Sequence, residues 1–246
     1  MTSLVLRRWA AWAPGRETPE SWAAWAAAPV PLAGDGHPDA AFLPAMLRRR
    51  CTPLSRIVLT AAFGCCPAAE QPEVRTVFAS RHGSINESIG LLEAVVRSDR
   101  ISPAKFSHTV HNAQAGLFSI AAANRCASSS LSAGADTFPC AWIEAATHVQ
   151  REPDRAVLLV MADVPLADTF APLVDEAAVP YALALLVAAA GEGSPLTLSL
   201  QHGSSTSLQR RPWPDALEFL RWVLGEDPTL EFEVGPRRWS WRRGIA

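Results

Sequence analysis

Two stretches of the chain contain residue types that could carry out nucleophilic or acid–base chemistry. Cys126 begins Cys-Ala-Ser-Ser-Ser-Leu, and a cysteine thiolate suits thioester exchange because it is both a strong nucleophile and a good leaving group. The alternative for Cys126 is a small buried side chain. His202 begins His-Gly-Ser-Ser-Thr at the end of an apolar run. It is either a candidate base or part of a solvated loop after a strand.

Metal chemistry is not predicted. His108 and His111 lie three residues apart, and in an extended segment they would point to opposite faces. The five cysteines are an odd number and none is in Cys-x-x-Cys spacing. This pattern argues against a disulfide framework and against a zinc site, so we predict no metal and no other cofactor.

Composition limits the possible partners and compartments. The chain has 22 basic and 24 acidic residues, and this near-balance argues against nucleic-acid binding. The longest apolar run, Ala182–Ala190, is much shorter than the ~20 residues of a membrane helix. Arg7 and Arg8 interrupt the first apolar stretch, which is not typical of a signal peptide. We therefore expect a cytoplasmic protein with no membrane insertion, and the scarcity of lysine (Lys105 alone) beside many arginines and alanines indicates a bacterial source.

Helix signals alternate with buried strands along most of the chain. Thr18-Pro19 and Thr52-Pro53 are helix starts, and Ser84-Ile-Asn-Glu87 matches a capping box whose helix would bury Ile89, Leu92, Val95 and Val96. Further helices are predicted over Ala40–Arg49, Ala113–Asn124 (capped by Asn112), Pro139–Val149 (capped by Asp136 and Thr137) and Pro214–Leu224. Strands are predicted over Ser3–Trp9, Val74–Ala79, Ser128–Ser132, Ala156–Ala162, Tyr181–Ala190 and Leu196–Gln201. Continuous apolar strands indicate a sheet covered on both faces, and hence a layered α/β fold.

Two longer stretches show a family resemblance. Phe78-Ala-Ser-Arg-His-Gly-Ser-Ile-Asn-Glu-Ser88 and Ile101-Ser-Pro-Ala-Lys-Phe-Ser-His-Thr-Val-His-Asn-Ala-Gln-Ala-Gly116 resemble the N-terminal half of β-ketoacyl synthases. Within that family the chain is most similar to the short chain-length-factor-type proteins of bacterial aryl polyene pathways. The resemblance implies a single thiolase-like half, layered as helix, mixed sheet and helix, over residues 1–206. A C-terminal helix and an Arg/Trp-rich tail would follow over residues 207–246.

The resemblance also gives a place for the nucleophile. In condensing enzymes the cysteine lies about 23 residues after the Asn of the Asn-x-x-Ala-Gly segment, where a helix begins and its dipole stabilises a thiolate. Counting 23 residues from Asn112 gives Ala135, which has no nucleophilic atom. Cys126 comes before this position and Cys140 lies inside the predicted helix. His202 precedes the C-terminal half that supplies the family's catalytic histidines, so we predict no catalytic residue, with Cys126, Cys140 and His202 as the alternatives.

The resemblance implies a dimer seam made by the Asn112 helix and the strand that follows it. The expected partner is a complete β-ketoacyl synthase, with an acyl carrier protein as a further partner. Interface residues are expected at Asn112, Gly116, Phe118, Ser128, Ser129, Ser130, Leu131, Ser132, Trp239 and Trp241, since Trp is enriched at interfaces. Pocket residues are expected at Leu117 and Phe138, and carrier-protein docking at Arg237, Arg238, Arg242 and Arg243.

These expectations describe a non-catalytic, chain-length-factor-type subunit that forms a heterodimer with a ketosynthase during polyene, polyketide or fatty-acid-type chain elongation. The apolar surface of one half would be covered by the partner or by the C-terminal helix and tail. Two alternatives remain open. One is a small cysteine-dependent acyltransferase or thioesterase that uses Cys126 or Cys140, and the other is a homodimeric acyl-binding scaffold.

Overall fold

A mixed eight-stranded sheet forms the centre of the protein in a computed structural model, which describes residues 1–32, 34–203 and 212–244. The strands are β1 (Thr2–Trp12), β2 (Arg75–Ala79), β3 (Ser128–Leu131), β4 (Val157–Asp163), β5 (Tyr181–Ala188), β6 (Ser194–His202), β7 (Thr229–Val234) and β8 (Arg237–Arg243). Their order is β3-β2-β4-β5-β1-β6-β8-β7, with β2 parallel to both β3 and β4 and the other pairs antiparallel. This confirms the predicted layered α/β fold.

Helices cover both faces of the sheet. They are α1 (Pro19–Ala27), α2 (Ala45–Arg48), α3 (Pro53–Cys65), α4 (Ile85–Val96), α5 (Pro103–Phe106), α6 (Ala113–Ala121), α7 (Thr137–Arg151) and α8 (Asp215–Leu224). One core lies between the sheet and α1, α7 and α8, and a second lies between the sheet and α3 and α6. Every residue of β4 and β5 is buried, as expected for strands covered on both faces. Among the described residues no helix is both long enough and apolar enough to cross a bilayer.

Some of the predicted helix caps form in the structure and others do not. Thr18 and Thr52 accept backbone N–H groups of the first turns of α1 and α3 as predicted, whereas Ser84, Asn112 and Asp136 make no side-chain cap. The capping-box interpretation of Ser84 is wrong because its buried hydroxyl accepts a hydrogen bond from Gln114 Nε2 at 3.3 Å instead. The predicted Ala40–Arg49 helix shortens to α2, since Pro44 restricts the start and Ala40 has a positive φ of 53°.

Helix α4 also departs from the expectation. Its apolar residues were expected to be buried, but none of its residues is buried and Val96 is 85% exposed. The sheet face on that side is already covered by α3 and α6, so α4 packs mainly against α5. An apolar helix face is therefore left open on the surface.

The segment after residue 212 belongs to the same sheet. Strands β7 and β8 continue the sheet beyond β6, and α8 packs between this extension and α1. Trp239 and Trp241 are 3% and 0% exposed in this chain's own core. Their expected place at a partner interface is corrected, because no partner can reach them. The predicted boundary at residues 206 and 207 lies outside the described residues.

Candidate functional site

The position expected for the nucleophile is filled by this chain's own side chains. Ala135 lies in a single turn just before α7, and the next residue, Asp136, is only 8% exposed. The Asp136 carboxylate accepts the indole N–H of Trp239 at 2.7 Å and forms an ion pair with Arg237 at 2.5 Å. The cavity beside Ala135 is about 30 Å³, enough for about two water molecules and not for an acyl chain.

An acidic cluster lies beside this position, at the carboxyl ends of β2 and β4. Buried Asp163 accepts hydrogen bonds from the Ser80 hydroxyl (2.7 Å) and from the backbone N–H groups of Arg81 and His82. Burial raises the pKa of Asp163, and it raises the pKa of Glu176 to about 7 although Arg81 opposes that shift. A further negative charge is disfavoured here, so the surroundings oppose a thiolate.

Sequence reasoning did not identify Asp163 and Glu176 as site residues. Asp163 ends a strand that is otherwise apolar, and an acid in that position was the available signal. Glu176 gave no comparable signal, since its neighbour Arg81 lies far from it in the chain.

Neither candidate cysteine is paired with a general base among the described residues. Burial, followed by the Asp136 charge, raises the pKa of the Cys140 thiol, which lies within α7 and not at its start. The Cys126 sulfur contacts the carbonyl oxygen of Glu73 at 3.2 Å and the Arg155 guanidinium at 3.7 Å. Neither thiol has a hydrogen bond to a histidine within the part of the chain that the structure describes.

His202 is exposed at the end of β6, opposite Arg237 in the β6–β8 register. The Ser204-Ser205-Thr206 part of its motif lies outside the described residues. In the described ranges no three or more His, Cys, Asp or Glu side chains are grouped to hold a metal ion, His108 and His111 included.

A serine–histidine pair that the sequence analysis did not identify lies on β3 and α7. Ser129 Oγ is 3.0 Å from His148 Nε2 and 2.6 Å from Glu144 Oε1, and a serine hydroxyl beside an imidazole is the pairing that serine nucleophiles use. However, Arg75 lies 3.2 Å from His148 Nδ1, and a guanidinium can only donate. His148 Nδ1 is therefore the acceptor and Nε2 carries the proton, so this imidazole cannot accept the proton of Ser129.

Strand β3 has an open edge that points away from the sheet. Of the described strands it pairs with β2 alone, through bonds from Thr76 N to Ala127 O (3.2 Å) and from Ser80 N to Leu131 O (3.3 Å). Bonding residues alternate in a parallel ladder, so the backbone N–H and C=O groups of Ser128 and Ser130 face the open edge. Such an edge can accept another strand.

A groove lies between α6 and this edge strand. It measures about 420 Å³, and five of the expected interface residues line it. We call it the α6–β3 groove. Its lining consists of Thr76, Asn112, Ala115, Gly116, Phe118, Ser119, Asn124, Cys126, Ser128 and Ser130. The structure thus brings Asn112, Gly116, Phe118, Ser128 and Ser130 together at one surface.

The other expected interface residues lie around the same strand or inside the core. Ser129 and Leu131 are half-buried on β3, and Ser132 donates to the Arg81 carbonyl at 3.0 Å. Leu117 and Phe118 are buried in the core beneath α6, so Phe118 reaches the α6–β3 groove only from below. Phe138 is 1% exposed and packs on Phe219, so it belongs to the core although it borders the small cavity at Ala135.

Three of the four arginines expected to dock a carrier protein have partners within the chain. Arg237 pairs with Asp136 and Arg238 pairs with Glu233. Arg243 donates to carbonyl groups at the end of α8 and lies 4.8 Å from the Trp222 ring centroid. Arg242 is exposed on β8.

Basic side chains without an ion-pair partner among the described residues line a second groove. A groove of about 420 Å³ between α2, α4 and α5 is lined by Arg49, Arg50, Arg100 and Lys105. None of these four cations forms an ion pair with another described residue, and Glu87 is the one carboxylate in the lining. We call this surface the cationic groove.

Several large apolar side chains on α2, α4, α5, α6 and the adjoining loops are exposed. Phe42, Met46, Leu92, Val95, Val96, Ile101, Phe106, Val110 and Ile120 are all exposed. Leu92, Val95 and Val96 share one face of α4. These three residues give α4 an exposed apolar face, and such a face is typical of an interaction site.

Comparisons with known proteins agree with this architecture. The family model described as Beta-ketoacyl synthase, N-terminal domain matches residues 22–242, while no curated protein matches the chain. A chain of the complex of a ketosynthase with its chain length factor from Xenorhabdus doucetiae is 28% identical, with a TM-score of 0.83 over 99% of this chain and 100% of that chain. The ishigamide ketosynthase/chain length factor is 16% identical (TM-score 0.64, 82% of this chain and 68% of that chain). A beta-ketoacyl synthase from Burkholderia phymatum STM815 is 12% identical (TM-score 0.59, 84% and 66%), and these last two likenesses concern the fold alone.

Proposed function

Because this chain belongs to the β-ketoacyl synthase N-terminal domain family, we propose that it is a chain-length-factor-type subunit that lacks a nucleophile and pairs with a complete β-ketoacyl synthase. The observation that carries the proposal is the structure around Ala135. A methyl group stands at the position expected for the nucleophile, and the helix that follows begins beside the Asp136 carboxylate, which Arg237 and Trp239 bind. A thioester has neither an attacking atom nor room at this position.

The partner part of the proposal is supported by surface features. The open edge of β3, the α6–β3 groove and the exposed apolar face of α4 provide strand pairing, shape and apolar area. The most similar of the three solved chains described above belongs to a complex of a ketosynthase with its chain length factor, and it is covered over its whole length. In this role the subunit supports the ketosynthase pocket and helps to set the acyl chain length.

The proposal is tested by reconstitution. We expect the chain to co-purify with a ketosynthase of the same pathway and to be required for chain elongation, while it performs no condensation alone. The double variant Cys126→Ala/Cys140→Ala is expected to retain full activity in the complex, because neither thiol reacts. Loss of elongation in this variant, with the complex intact, would favour the cysteine-dependent acyltransferase or thioesterase instead.

Carrier-protein docking is expected at the cationic groove. Acyl carrier proteins are acidic, and unpaired arginines attract an acidic partner more strongly than arginines that already have carboxylate partners. The double variant Arg49→Glu/Arg50→Glu should weaken carrier binding about tenfold at low salt, since charge reversal replaces attraction by repulsion. The measurement is a fluorescence titration of the heterodimer with carrier protein at two ionic strengths.

Arg242→Glu is the matched control for this titration. It reverses one charge, at the exposed arginine of the tail, where the double variant reverses two, and we expect little change in carrier affinity. If Arg242→Glu weakens binding and the double variant does not, the carrier docks on the tail and the cationic groove has another role.

A further inference from the structure

The α6–β3 groove has a shape that this chain's own residues do not fill. Gly116 lies on its helix side, and a Cβ atom added there would meet no atom within 4 Å. On its strand side Ser128 accepts the hydroxyl of Thr76 at 2.9 Å, whereas the buried Ser130 Oγ has no hydrogen-bond partner among the described residues. The groove is therefore open space beside a hydroxyl that needs a partner.

Strand pairing of two copies of this chain through β3 would not fill the groove. A two-fold axis perpendicular to the sheet places the β3 strands of both copies antiparallel, with both α6 helices on the same face. From its β3 strand each copy then presents only Ser128 and Ser130 to the groove of the other, and serine side chains are too small for about 420 Å³. Two poorly filled grooves at the centre of an interface are unfavourable, since stable interfaces are packed as densely as protein interiors.

We propose that the α6–β3 groove receives a long side chain carrying a hydrogen-bond donor from the edge strand of the partner ketosynthase, and that this contact selects the heterodimer over a homodimer. The inference rests on the proposed function, because it assumes that the ketosynthase pairs with β3. The donor group forms a hydrogen bond with Ser130 Oγ, and the rest of the long side chain fills the space beside Gly116. The small serine side chains of β3 thus favour pairing with the ketosynthase over pairing with a second copy of this chain.

Filling the groove from within tests this inference. Gly116→Leu places a side chain in the open space, and leucine is a better helix former than glycine, so the chain should fold. We expect its affinity for the ketosynthase to fall at least tenfold in a calorimetric titration, with an unchanged circular dichroism spectrum. Ser130→Leu fills the groove from the strand side and is expected to weaken binding to a similar extent.

Gly90→Leu is the matched control. Gly90 is also an exposed helical glycine with open space at its Cβ. It lines the cationic groove, and at 100° per residue it lies on the side of α4 opposite Leu92, Val95 and Val96. We expect its ketosynthase affinity to equal that of the unchanged chain.

The outcomes separate the inference from the function on which it rests. If the unchanged chain does not bind the ketosynthase, the proposed function fails. If the unchanged chain binds and both groove-filling variants bind equally well, the inference is overturned. Analytical ultracentrifugation of the unchanged chain alone should show a monomer at micromolar concentration, and a stable β3-dependent dimer would also overturn the inference.

Discussion

Replacing Trp241 by alanine is expected to destabilise the chain by about 3–5 kcal/mol, the range for deleting a large buried aromatic side chain. Trp241 is fully buried on β8. Its ring centroid lies 5.3 Å from that of Phe232 and 5.8 Å from that of Phe138. It also contacts Phe219 of α8 and Trp142 of α7, so its loss would leave a cavity where four elements meet.

Urea unfolding followed by circular dichroism measures this effect. Met46→Ala is the control, since Met46 is 77% exposed and its truncation should change the free energy of unfolding by less than about 0.5 kcal/mol. A loss below about 1 kcal/mol for Trp241→Ala would mean that the C-terminal segment does not stabilise this fold. The segment would then be free to pack on a partner, as the sequence analysis considered.

The elements that the sequence predicted well are those governed by local signals. The runs of β4 and β5 are apolar throughout, and threonine followed by proline starts both α1 and α3. Helix α8 was also predicted, with Gly225 at its end. In each case a short stretch contains both the pattern and the boundary, so distant residues are not needed to interpret it.

The errors come from contacts between residues far apart in the chain. Asp136 is positioned to cap α7, but it bonds instead to Trp239, 103 residues later. The apolar pattern of α4 predicts a helix correctly but does not reveal that the core is already closed without it. The alternation of Trp and Arg in β8 is compatible with either an interface or a core strand, and only the pairing of β6 with β8 decides between them.

The candidate site divides in the same way. The sequence alone predicts Ala135 at the expected nucleophile position, because the count from Asn112 needs no structure. In the structure, Ala135 borders a cavity that is too small for an acyl chain. The convergence of Asn112, Gly116 and Ser128 on one groove agrees with the expected seam. Arg49 and Lys105 are distant in sequence, so their meeting in the cationic groove could not be predicted without the fold.

Ser130→Pro is expected to weaken binding to the ketosynthase by about 100-fold while it leaves this chain folded. The backbone N–H of Ser130 faces the open edge of β3, so proline removes no bond to β2. Proline is tolerated on edge strands for this reason, yet its ring occupies the space where a partner strand would lie and it cannot donate to that strand. Calorimetric titration with the ketosynthase gives the affinity, and thermal unfolding of the variant alone reports its fold.

Ser130→Ala separates the backbone effect from that of the side chain. It keeps the N–H and removes only the hydroxyl, so its affinity should fall by less than about tenfold, the cost of one neutral hydrogen bond. A proline variant that binds as weakly as the alanine variant, and no more so, would mean that β3 offers side chains but no backbone to the partner. In that case the apolar face of α4 would have to supply most of the interface, and Val96→Asp, at a residue 85% exposed, would become the substitution that separates the two subunits.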